Sequence, residues 1–177
     1  MIDINIIKKI LDVISFDGKE RVLKIKDEFE GWLYDKDGKL LKHIKGECNS
    51  MTNGGFDWLC HRIASGGTPP TGITHAGIGY GNGASNAFAA TQTLLQGAVV
   101  NIKTYSSYVH TTGTKVFYVE TQWGANDPST SEITIQEAST FNALSSGTMI
   151  SRQVFTAVTK ASSDIFTGRF TYTFSEV

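Results

Sequence analysis

The spacing of apolar residues changes character along the chain. At the start, Ile4, Ile7, Leu11 and Ile14 recur three and four apart, Asp3 can cap the first turn, and Lys8, Lys9 and Asp12 sit opposite the stripe. That spacing predicts a short amphipathic helix. Ile6, Ile10 and Val13 widen its apolar face, so the helix requires a surface to pack on. From residue 22 the pattern becomes extended. Residues 22–26 and 29–34 read as strands, and Asp35-Lys36-Asp37-Gly38 reads as a turn into a strand over 39–45, the glycine supplying the left-handed residue of a tight hairpin. Helical spacing returns over 52–64, where Phe56, Leu59, Cys60 and Ile63 fall three and four apart. Thr52 or Asn53 can cap that helix, and Ser65-Gly66-Gly67 ends it ahead of Pro69-Pro70.

After residue 73 the period drops to two. Strands are predicted over 73–79, 98–105, 115–123, 132–138, 148–159 and 165–174. In the last, Phe166, Phe170, Tyr172 and Phe174 share one face while Thr167, Arg169, Thr171 and Thr173 share the other, the signature of a sheet with one wet side. Strands separated by Gly, Asn and Ser-rich turns, without a strand-helix-strand rhythm, predict a mainly β protein. The expected architecture is an antiparallel β-sandwich or jelly-roll-like body with one short helix at about 52–64. Charge places the expected boundary. Residues 1–47 hold 20 of the 33 charged side chains, so an N-terminal extension of helix and hairpin (1–47) is expected ahead of a β-sandwich body (48–177).

Composition narrows the partners. With 16 basic and 17 acidic side chains, no net field favours nucleic acid or an anionic membrane. Proteins or glycans are the expected partners. The sequence contains no apolar run of the ~18 residues that a membrane-spanning helix needs, and its start lacks a secretion leader, so synthesis in the cytoplasm is expected. Cys48 and Cys60 have the wrong number and spacing for a zinc site or a disulfide framework and are read as free, packed thiols.

Patterns that carry chemistry are sparse. The cluster Gly77-Ile-Gly79-Tyr-Gly81-Asn-Gly83 lacks the Lys-Ser or Lys-Thr of a phosphate loop and reads as a strand running into a loop. His43, His61, His75 and His110 fall on separate elements outside any ligand spacing, so no metal and no cofactor are expected; His75 is expected on a solvent face beside Thr74. No Gly-x-Ser-x-Gly elbow occurs, and Ser145-Ser146-Gly147 reads as a turn. Glu132 and Glu137, an odd number of residues apart, point to opposite sides of one strand. No catalytic residues are assigned, and the chain is expected not to be an enzyme. Tyr105, Tyr108, Tyr118 and Trp123 are the candidates for a glycan-binding or interface surface, with a role in the core as the plainer alternative.

Taken in order, several segments resemble small virion structural proteins of tailed bacteriophages. They are the charged hairpin 29–45, Asn49-Ser-Met-Thr-Asn53-Gly54-Gly55-Phe56-Asp57-Trp58-Leu59, and Ile73-Thr-His-Ala-Gly-Ile-Gly79. Further on come Ile133-Thr-Ile-Gln-Glu137-Ala138, Phe141-Asn142, Gly147-Thr-Met-Ile-Ser-Arg152-Gln-Val-Phe155 and Lys160-Ala-Ser-Ser-Asp164. The likeness spans about 28–177. Ser139 and Thr140 depart from it, standing where such proteins more often carry Gly-Leu. The resemblance implies a capsid decoration or cement protein in the virion, a homo-oligomer and most readily a trimer, partnered by the major capsid protein or other virion proteins. It also leaves open a neck, collar or tail-fibre adaptor, and a carbohydrate-binding module on the virion surface. It implies no catalytic residue. The first 20 residues lie outside it. Ile4, Ile7, Leu11 and Ile14 are the expected docking residues, since each aliphatic side chain buried in a neighbour is worth about 1.5–3 kcal/mol before ordering costs. Covering the chain's own sandwich is the alternative role for that stripe.

Overall fold

In the computed structural model, which describes residues 23–46, 51–64, 68, 70–81 and 87–176, the period-two segments pair into two antiparallel sheets. The strands are β1 (Leu23–Tyr34), β2 (Leu40–Gly46), β3 (His75–Tyr80), β4 (Val99–Thr104), β5 (Ser107–His110), β6 (Val116–Trp123), β7 (Ile133–Phe141), β8 (Met149–Lys160) and β9 (Ile165–Glu176); helix α1 (Asn53–Ala64) lies between β2 and β3. Sheet A has the order β2-β1-β9-β6-β5 and sheet B the order β4-β3-β7-β8. The body is mainly β and sandwich-like, as the periodicity predicts. The predicted N-terminal helix lies outside the described residues.

Inward-facing side chains of both sheets make one core. Phe29 and Leu33 of β1, Val119 and Trp123 of β6, and Phe166 and Phe170 of β9 meet Ala76, Ile78, Ile135, Ala138 and Val158 of sheet B. Phe29 stacks on Phe155 of β8 with ring centroids 5.0 Å apart, which ties the two layers at that point. The alternation read in residues 165–174 holds: Phe166, Phe170 and Tyr172 are buried. On the opposite face, Arg169 pairs with Glu120 at 2.7 Å, and its guanidinium lies over the rings of Tyr118 and Trp32, at 4.4 and 5.2 Å.

The structure departs from the expected strands in three places. The two strands expected over 22–26 and 29–34 are, from Leu23 to Tyr34, one uninterrupted strand paired with β9 along its whole length, and Asp27, in the gap between them, points inward opposite Tyr172 and is buried. The hairpin expected in an N-terminal extension therefore supplies two of the five strands of sheet A. Strand β5 was not predicted, because four residues are too short to establish a period.

Helix α1 starts as predicted. Thr52 caps it, its Oγ1 accepting the Gly55 N–H at 2.9 Å. The side that packs is another matter. Gly55 lies so close to β8 that a Cβ there would sit 2.1 Å from the Ile150 carbonyl oxygen, and it is the buried residue of the helix. Most of the stripe that identified the helix faces outward: Phe56 is 49% and Ile63 71% exposed, Cys60 is an exposed thiol rather than a packed one, and Leu59 is half-buried. Cys48 lies outside the described residues.

Candidate functional site

Two features of the sandwich bring side chains together in ways the sequence pattern does not show. The first is polar and lies on the outer face of sheet B. Ile78 and Ala138 are paired neighbours that face the core, so the adjacent Gly79 and Glu137 point away from it. A register shift in β7 between Ile135 and Glu137 accompanies this turn. Glu137 Oε2 accepts from Arg152 Nε at 2.6 Å, and both side chains are fully buried. They are covered by residues 87–97, a segment without regular structure. Gln96 and Gly97 donate their N–H groups to Glu137 Oε1 at 2.6 and 2.5 Å, while Arg152 Nη1 donates to Gln92 Oε1 at 2.7 Å and to the Ala87 carbonyl at 3.4 Å. Gly79 makes room for this arrangement, since a Cβ there would lie 2.0 Å from Glu137 Oε1. Beside it, Leu95 packs with Phe141, Met149 and Ile102 in a second, smaller core. The ion pair thus straps a loop onto a sheet. Glu132, the other carboxylate singled out in the sequence, lies ahead of β7, is exposed, and does not join Glu137.

The second feature is an aromatic groove at the other layer's open end. Ile25, Phe174, Phe117 and Tyr108 come from the four strands β1, β9, β6 and β5, on the face of sheet A that carries the core. Phe117 stacks on Tyr172 at 4.9 Å and on Phe174 at 6.3 Å, and Tyr108 packs against Phe117 at 6.0 Å and Tyr105 at 6.4 Å. Cover thins along this row. Ile25, Phe174 and Phe117 are half-buried, and Tyr108 at its end is 53% exposed. The opposite wall is α1, held down by Trp58 Nε1 donating to the Thr71 carbonyl at 2.8 Å and Arg62 Nη1 donating to the Pro70 carbonyl at 2.7 Å. A groove of about 330 Å³ results, lined by Trp58, Arg62, Ile73, Tyr105, Tyr108 and Phe117. A second hollow of about 310 Å³ opens beyond Trp58, between Asp57, His61, Pro70 and Thr148.

Of the candidates, Tyr105 and Tyr108 are brought together, and Tyr118 lies on the opposite face against Arg169. Trp123 is corrected. It is 1% exposed, and its Nε1 donates to Asn101 Oδ1 at 2.9 Å inside the body, so it offers no ring to a ligand. Ile4, Ile7, Leu11 and Ile14 lie outside the described residues. Trp58, Arg62 and Phe117 were missed. Trp58 and Arg62 stand four apart and so share a helix face, beside the more apolar stripe of Phe56, Cys60 and Ile63. The histidines stay dispersed: His75 Nδ1 meets Thr74 Oγ1 at 2.8 Å, His110 Nδ1 meets the Val116 carbonyl at 2.9 Å, His43 stacks on Trp32 and His61 lines the second hollow. Among the described residues no three His, Cys, Asp or Glu side chains converge, and no helix is long and apolar enough to cross a membrane. Comparison with protein-family models, curated proteins and solved structures finds no match for this chain.

Proposed function

We propose that this protein is a structural component of a tailed-phage virion, a decoration or cement protein that binds the head shell. One observation supports the reading above the others. Three of the segments that carry the resemblance, far apart in sequence, occupy the neighbouring strands β3, β7 and β8, and one buried contact joins them: Gly79 makes room for Glu137, which pairs with Arg152. The residues that make the chain look like such proteins are therefore those that hold its sheet and loop together. A likeness concentrated in the scaffold fits a protein whose product is a surface. The departure at Thr140 has a use in the same scheme, because its hydroxyl meets the Tyr172 hydroxyl at 2.6 Å across the two sheets.

The test is the location and copy number of the chain in purified particles. Density on the head lattice, with a copy number that follows the capsid subunits, is the expected result. A single ring at the neck or tail would replace decoration by an adaptor role, and absence from particles would remove the virion reading altogether.

A further inference from the structure

We propose that Lys160 binds a structural water molecule that locks together two chain crossings between the sheets. This inference rests on residues of the sandwich body and does not depend on the virion reading.

β6 crosses to β7 through residues 124–132, and β8 crosses to β9 through residues 161–164, each passing from one sheet to the other. The two crossings touch, the Asn126 N–H donating to the Ser162 carbonyl at 2.6 Å. Lys160 closes β8 just ahead of the second crossing. It alternates with Val158 onto the core face, opposite Ile133, and is 1% exposed. An ammonium group has three N–H donors to satisfy and is costly to bury without acceptors. Among the described residues Lys160 Nζ has one acceptor, the Ala161 carbonyl at 3.4 Å, and that oxygen already accepts the Asp164 N–H at 3.1 Å.

Two carboxylates stand near the amine without pairing with it. Burial lowers the Lys160 pKa, and Asp164 and then Asp127 pull it back up, so both lie within electrostatic reach. Each is committed elsewhere. Asp164 Oδ2 accepts the Ala161 N–H at 3.0 Å, and Asp127 Oδ2 pairs with Lys103 Nζ at 2.5 Å. The second oxygen of each carboxylate, Oδ1, has no hydrogen bond among the described residues.

The group that fits between these atoms must accept from an ammonium and donate to carboxylates. An anion is repelled by the two aspartates and a cation by the amine, whereas water meets both demands. A water that accepts from Nζ and donates to Asp164 Oδ1 and Asp127 Oδ1 makes about the number of hydrogen bonds usual for a buried water. It joins the end of β8 to both crossings, with bonds nearly as favourable as direct ones.

A crystal structure of the full-length, unmodified chain that resolves ordered solvent tests the proposal. The expected result is a water within hydrogen-bonding distance of Lys160 Nζ and of an oxygen of Asp164 or Asp127. Lys160 Nζ bonded directly to either carboxylate, or Nζ without a bound water, would overturn it. A second reading comes from solution. Magnetic relaxation dispersion of the water oxygen counts long-lived internal waters, and Lys160→Met should lose one of them relative to the unmodified chain. Hydrogen exchange at the Asn126 amide, which spans the two crossings, should become about tenfold faster in the same variant, the scale of a lost hydrogen bond to a charged group. An unchanged water count, or unchanged exchange at Asn126, in folded Lys160→Met would equally overturn the proposal.

Discussion

Tyr172 shows how one hydroxyl can link two layers. Its oxygen lies 2.6 Å from Thr140 Oγ1 and 2.8 Å from Ser151 Oγ, so a side chain of sheet A is hydrogen-bonded to two strands of sheet B. Burial, and then the nearby Asp27 carboxylate, push its pKa well above the ordinary tyrosine value. The folded state consequently keeps a proton that the unfolded chain releases above pH ~10. The contribution of Tyr172 to stability is complete below that pH and is lost as pH rises further. Lys160 acts in the opposite sense. Desolvation lowers its pKa against the pull of Asp164 and Asp127, so between its folded pKa and the ordinary lysine value the folded state holds less proton and gains stability with rising pH. Tyr172→Phe should cost about 1–2 kcal/mol at neutral pH, and it should flatten the loss of stability above pH 10. Urea midpoints measured from pH 7 to 11 check both parts; an alkaline decline as steep as in the unmodified chain would show that another group governs it.

At the scale of elements, the loop at 87–97 depends on one carboxylate. Glu137 takes two backbone N–H groups from the loop and one guanidinium N–H from the neighbouring strand. Such a pair need not add stability over a well-packed apolar pair, but breaking it by removing one partner leaves a buried charge and costs about 3–5 kcal/mol. Glu137→Gln should destabilise the protein by that amount. Replacing both residues by methionine should recover much of the loss in stability while leaving the Gln96 and Gly97 amides without an acceptor. Hydrogen exchange at those two amides should then be fast even though the body is folded. Slow exchange in the double variant would mean that Leu95, packed with Phe141 and Met149, holds the loop by itself.

The path of the chain makes the whole molecule one cooperative unit. β1 and β2 lie in sheet A, β3 and β4 in sheet B, β5 and β6 in sheet A, β7 and β8 in sheet B, and β9 returns to sheet A between β1 and β6. Neither sheet is built from a continuous piece of sequence, and β9 pairs along its length with the strand that begins the described chain. Unfolding one sheet therefore strips the other of its core face. Urea transitions followed by far-ultraviolet circular dichroism and by the near-ultraviolet signal of the aromatic core should superimpose. Separated midpoints would show that the layers fold independently.

Period-two alternation after residue 73, the Asp35–Gly38 turn and the capped helix start are local properties, and residues such as Phe166, Phe170 and Tyr172 declare their face within a few positions. Those features were legible in the sequence alone. Asp27 and Glu137 were not, because a charge on a strand reads as exposed until the partner that satisfies it is brought from another element. The same reason hid the groove. Trp58, Tyr108 and Phe117 become neighbours only when a helix from one part of the chain is laid against the β5–β6 end of a sheet from another. The direction in which α1 faces was likewise set by the close approach of Gly55 to β8, a contact between distant segments that no pattern of apolar residues along one helix can specify.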